Sequence, residues 1–296
     1  MTREHDGWCP PPVTPRTSGR WWRVEVVEMR GSRPLPVLPY FLLAFGWTWA
    51  LWWTAAAFPQ LPGPLLFITG GLGPLVGVAW VVQRGGGAYR RRFLQRVWDP
   101  RGITAPWWVA MLAVTAAPAL LGAVTADLAG VAVTLPDRSA AAVGGVVVFA
   151  LAAGLVEEPG WRGVASDALQ TRMRPVWAAL SIGALWALWH LPLYFVDGSY
   201  QQGLGLGSVR FWLTNVVLVQ LSVLYVWLAN GTGGSILIVV LAHAGFNIAG
   251  ELVPRSTTGD VVAFLVVTAA TLVVIAATRG RLCCRPHTSL VGGPVA

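Results

Sequence analysis

Residues 155–164 read LVEEPGWRGV and follow VGGVVVFALAAG, a run without a single charge. Glu157, Glu158 and Arg162 thus stand at the end of a segment otherwise suited to lipid. Farther on, WALWH carries Trp186 and His190, and HAGFN carries His243 and Asn247, again inside apolar stretches. A charge near the middle of a membrane helix costs about 2.5–3.5 kcal/mol on insertion scales, so each polar residue kept there is a functional candidate. One acid, two imidazoles and an amide suit hydrolysis. A carboxylate and an imidazole can hold a water and take its proton, while a second imidazole and an amide donate to the oxyanion of a peptide carbonyl. Alternatively, Glu157, His190 and His243 could hold a zinc ion that acidifies the water, although the one-helix HExxH signature is missing.

Spacing sorts these residues into faces. His243 and Asn247 are four apart and share one helix face, so both can reach one ligand. Glu158 and Arg162 are also four apart, with the acid on the N-terminal side that an ion pair prefers. Glu157 points about 100° away from Glu158. We therefore assign Glu157 to chemistry and Glu158 to holding Arg162. Pro159 lacks an N–H and clashes with the carbonyl of Leu155, which predicts a kink or break. Irregular backbone inside a membrane is tolerated where it is buried in protein or lines a wet cavity. The acids are expected to border such a cavity.

The elements that must position these groups follow from composition. The 296-residue chain is 55% hydrophobic and only 11% charged, with a mean hydropathy of +0.60, far from a soluble domain. About 20 apolar residues span a bilayer as helix, and eight windows qualify: 37–58, 64–82, 106–128, 140–156, 176–196, 211–229, 235–250 and 261–278. The expected fold is an all-α polytopic membrane bundle of about eight transmembrane helices, over residues 35–278. Counted from one side at 1.5 Å per residue, His190 lies about 21 Å deep, His243 about 14 Å and Glu157 about 22 Å. Three windows bring polar groups to similar levels.

The net charge of +8 comes from arginine alone, since no lysine occurs. With the N-terminus inside, all arginines but Arg138, Arg210 and Arg255 fall on the cytoplasmic side, as the positive-inside rule asks. The basic charge therefore reports topology, with both termini cytoplasmic, and implies no nucleic-acid partner. Residues 1–34 read as a disordered basic tail and 279–296 as a cytoplasmic C-terminal tail. Met29 directly precedes a basic flank and then lipid-like sequence, so it is a candidate natural start. Cys9, Cys283 and Cys284 form no disulfide framework. His5 and His287 sit in the tails as bystanders. Trp47, Trp49, Trp52, Trp53, Trp107 and Trp108 crowd near helix ends, where indoles anchor at the interface. Small-residue spacings at Gly73 and Gly77, and from Gly145 to Ala153, fit close helix packing.

Three motifs in order resemble the CAAX protease and bacteriocin-processing family, also called the abortive-infection family. EExxxR matches EEPGWR at Glu157, Glu158 and Arg162. FxxxH resembles WALWH at His190, with Trp186 in place of Phe, and HxxxN matches HAGFN at His243 and Asn247. The resemblance covers about residues 140–250. It implies a multi-pass endopeptidase of a bacterial-type plasma membrane, acting on a peptide or protein substrate at the bilayer. It further implies that Glu157 and His190 activate water, that His243 and Asn247 stabilise the oxyanion, and that Glu158, Arg162 and Trp186 support them. The family is described both with and without a metal. Two other readings stay open: a proton-coupled transporter, since buried Glu and His suit proton relays, and a non-catalytic immunity or scaffold protein.

Overall fold

The computed structural model describes residues 37–131, 139–254 and 256–282. Outside the described residues lie the expected tail over 1–34 with His5, Cys9 and Met29, then Arg138, Arg255, and 283–296 with Cys283, Cys284 and His287. Every regular element among the described residues is helical: α1 (Val37–Ala57), α2 (Gly63–Gly71), α3 (Gly73–Arg84), α4 (Gly86–Trp98) and α5 (Ala105–Leu128). α6 (Ala140–Gly160) runs on into a π-helix (Trp161–Ser166) and the short α7 (Asp167–Gln170). α8 (Pro175–Trp189) ends in a 3-10 turn (Leu191–Phe195), followed by α9 (Tyr200–Leu204), α10 (Val209–Gly231), α11 (Leu237–Leu252) and α12 (Thr257–Ala277).

Local chemistry sets the helix starts. Ser139, Ser199, Ser208 and Ser256 each cap a helix by accepting the N–H three residues on. Proline opens α2, α3, α5 and α8, where its missing N–H removes no helical bond.

Six rods are long and apolar enough to cross a membrane: Gly63–Arg84, Ala105–Leu128, Ala140–Gln170, Pro175–Phe195, Val209–Gly231 and Thr257–Ala277. α11 is a shorter apolar helix of 16 residues. α1 has 21 residues, but its tryptophans, Tyr40 and threonines dilute its apolar character. It packs antiparallel along α2 and α3, where Thr48 Oγ1 donates to the Gly70 carbonyl (2.7 Å) and Trp52 Nε1 to that of Phe67 (3.0 Å). The polytopic bundle therefore counts six long spans and a shorter seventh, against about eight from the windows.

Helices approach where side chains are small. A Cβ on Gly154 would strike the Val240 carbonyl, so α6 and α11 nearly touch, and Gly183 does the same for α8 against Val219 of α10. Gly73 and Gly77 meet α1 at Ala44 and Tyr40, as their spacing suggested. Gly145 faces open space, and Gly154 makes the close contact instead.

The tryptophans divide differently from the expectation of surface anchoring. Trp47 and Trp53 are exposed, but Trp52 and Trp107 are buried, and Trp49 donates to the Trp189 carbonyl (3.2 Å). A helix end near the interface still has an inward face, and these indoles lie on it. Several helix ends also meet at one face of the bundle. Asn230 at the end of α10 donates to Gln170 of α7 (2.8 Å), and Arg174 before α8 donates to the Arg279 carbonyl after α12 (2.6 Å).

Candidate active site

The acids sit on the last turn of α6. Of the kink or break expected at Pro159, the break does not occur: the chain stays helical but irregular, the next turn widening into the π-helix with the Trp161 N–H shared between the carbonyls of Glu157 and Glu158. A π-turn takes up the bond that proline cannot make and is frequent at functional sites. The chain thus stays helical while its side chains shift register.

Glu158 and Arg162 form a buried ion pair, with Arg162 Nη1 at 3.0 Å from Oε1 and 2.9 Å from Oε2. Both are almost wholly buried. The same carboxylate accepts from His243 Nδ1 at 2.7 Å, which ties α6 to α11. Spacing assigned Glu158 to Arg162 alone; in the structure it holds both. The Arg162 guanidinium also lies over the faces of Trp186 (4.7 Å) and Tyr225 (5.0 Å). Aromatic faces cover the part of the cation that Glu158 does not reach.

Glu157 points elsewhere, as the 100° rule anticipated. Its Oε2 accepts from the indole Nε1 of Trp186 at 2.6 Å. The Trp186 carbonyl in turn accepts from His190 Nδ1 at 2.8 Å. A carbonyl cannot donate, so Nδ1 carries the proton and Nε2 is the basic nitrogen of His190. The half-buried His190 ring lies among Trp189 (4.8 Å), Trp186 (5.9 Å) and Trp52 (6.5 Å), and Glu157 and His243 act on it electrostatically. It is not turned out to lipid.

His243 is edge-on to Trp186 at 5.5 Å and stacked on Tyr225 at 6.3 Å. Its Nδ1 is hydrogen-bonded to the Glu158 carboxyl, which leaves Nε2 facing away from Glu158. Asn247 follows one turn later on α11 and is half-buried. Glu157, His190 and His243 therefore gather around Trp186 from α6, α8 and α11. Sequence reading missed Tyr225 and Trp189. Neither carries a motif, and only packing brings them to the site.

Among the described residues no three His, Cys, Asp or Glu side chains are disposed to hold one metal ion. Glu157 Oε2 and both histidine Nδ1 atoms are engaged by Trp186 and Glu158. With their Nδ1 atoms so engaged, His190 and His243 each keep Nε2 as the ring nitrogen open to a ligand.

Residues 139–249, from the Ser139 cap of α6 into α11, match the family model described as type II CAAX prenyl endopeptidase Rce1-like. The chain is also similar to CAAX prenyl protease 2 of Methanococcus maripaludis, at 33% identity over 108 residues, or 36% of this chain. The match spans 40% of that relative's length.

Proposed function

We propose, on the premise that residues 139–249 are a domain of the Rce1-like type II CAAX prenyl endopeptidase family, that this chain is a membrane endopeptidase whose water is activated by Glu157 and His190. The observation that carries the reading is the junction at Trp186, whose N–H meets Glu157 and whose carbonyl meets His190. One residue thereby contacts a carboxylate on α6 and an imidazole at the end of α8, which supports a shared role for the two.

In the proposed reaction a water bound between Glu157 and His190 attacks the scissile carbonyl, and its proton passes to the carboxylate or to His190 Nε2. The water oxygen's lone pair forms the new C–O bond while the carbonyl π pair moves onto its oxygen, giving a tetrahedral intermediate. Asn247 and His243 donate to that oxyanion, His243 through Nε2, with Glu158 holding the opposite side of its ring. Collapse breaks the C–N bond, and the proton held by the acid or imidazole goes to the leaving amine. A single oxyanion donor contributes about 10²–10³ in kcat.

The substrate is a peptide segment presented at the bilayer. The relative's name points to a prenylated CAAX terminus, and a farnesylated fluorogenic peptide is therefore the first probe. The arginine-bearing ends that meet at one face support a cytoplasmic placement of that face in a bacterial-type plasma membrane.

The test has two arms: cleavage of the farnesylated peptide by the purified chain in nanodiscs, and membrane proteomics of cells carrying wild type against Glu157→Gln. Products that vanish with Glu157→Gln are expected. If no cleavage product depends on that carboxylate, the endopeptidase reading fails, and proton-coupled flux that survives Glu157→Gln in proteoliposomes would install the transporter instead.

A further inference from the structure

We propose that the outer face of α4 is a binding surface for anionic phospholipid headgroups. α4 follows the span Gly63–Arg84 directly, after a turn in which Gly86 takes φ of 76°. That left-handed backbone suits glycine and sends the chain off the span where the membrane ends. Arg84 at this boundary lies 5.4 Å from the Trp80 ring.

The inner face of α4 is fixed. Tyr89, Phe93 and Val97, four apart, are buried. Arg96 clamps the helix to the body: its Nε donates to the Gly234 carbonyl (2.5 Å), its own carbonyl accepts from the Ile236 N–H (2.8 Å), and its guanidinium lies 3.4 Å from buried Asp167. Burial, with Asp167 beside it, pushes the Tyr89 phenol well above its ordinary range, so it adds no charge here. A Cβ on Gly163 would meet Phe93, so α4 rests on the π-helix itself.

The outer face is basic and partly apolar. Arg90, Arg91 and Arg101 line an open groove with Leu94 and Trp98, which are 46% and 59% exposed. Asp99, the acid in this groove, is taken up by Arg101, whose backbone N–H donates to Oδ1 at 2.9 Å. The groove thus keeps a positive excess. An acidic protein would be matched by arginines alone and would leave Leu94 and Trp98 against water. A phospholipid offers phosphate to the guanidinium forks and an acyl boundary to Leu94 and the indole, which is the composition of interfacial helices.

The test uses the full chain in nanodiscs of phosphatidylcholine mixed with phosphatidylglycerol, with lipids that stay bound on release counted by native mass spectrometry. Wild type is expected to enrich phosphatidylglycerol. Each arginine lost should lower that preference roughly fivefold, so Arg90→Gln, Arg91→Gln and Arg101→Gln together nearly abolish it. Arg91→Gln alone gives the partial effect, and Arg210→Gln, on an exposed site in the first turn of a different span, leaves it intact. Unchanged enrichment in the triple variant overturns the proposal. So does a polyglutamate peptide that binds wild type equally in phosphatidylcholine alone and loses binding in the triple variant, because the surface would then belong to an acidic protein.

Discussion

Trp186→Phe isolates one hydrogen bond. The indole N–H lies 2.6 Å from Glu157 Oε2, and Trp186 is only 3% exposed, so no bulk water stands ready to replace it. A hydrogen bond to a charged group is worth about 1.5–3 kcal/mol net. If the bond holds the carboxylate in its attacking position, its loss lowers kcat by roughly 10- to 150-fold at 1.36 kcal/mol per decade. KM should stay within a factor of about two, because Trp186 positions the base and does not grip the peptide. Phenylalanine keeps an aromatic face for Arg162, now 4.7 Å from the indole, and the backbone carbonyl that receives His190 Nδ1 is untouched. The assay is steady-state cleavage of the farnesylated peptide in nanodiscs, with thermal unfolding as a control for packing. A tryptophan isostere with sulfur in place of the N–H, 3-benzothienylalanine at the same position, keeps the bicyclic shape and should show the same loss. A kcat within twofold of wild type for that isostere would refute the positioning role, and a loss confined to Trp186→Phe would assign the effect to shape.

Other substitutions probe the remaining contacts. Arg162→Met leaves the Glu158 carboxyl without its guanidinium partner at 0% exposure and should cost about 3–5 kcal/mol, whereas Glu158→Gln with Arg162→Met should recover much of it, both read from unfolding midpoints in detergent. His243→Ala and Asn247→Ala should each lower kcat by about 10²–10³ with the fold retained; normal turnover of the farnesylated peptide would remove them from the oxyanion site. Gly154→Leu should drive α6 away from Val240 and abolish folded yield, while Gly145→Leu, facing open space, is tolerated in size-exclusion profiles. Activity is expected to persist after dialysis against a chelator, and a loss that zinc restores would replace the metal-independent route.

Much of the site is written in the chain because its short spacings are geometric. A spacing of four from Glu158 to Arg162, or from His243 to Asn247, puts each pair on one helix face whatever surrounds them. Adjacent Glu157 and Glu158 must diverge by about 100°, and they do, toward Trp186 and toward Arg162. Apolar length likewise pointed to a helical membrane bundle, because a continuous apolar run of about 20 residues satisfies its own backbone in lipid as a helix. Packing decided the rest. His243 reaches Glu158 across 85 residues of sequence, and Trp186 reaches Glu157 across 29, distances over which helical periodicity carries no information. The π-helix after Pro159 depends on neighbours that hold the widened turn in place, and the inward turn of Trp52 and Trp107 depends on which side of each helix meets another. Local rules set what each helix presents; only the contacts between helices settle which presented groups meet.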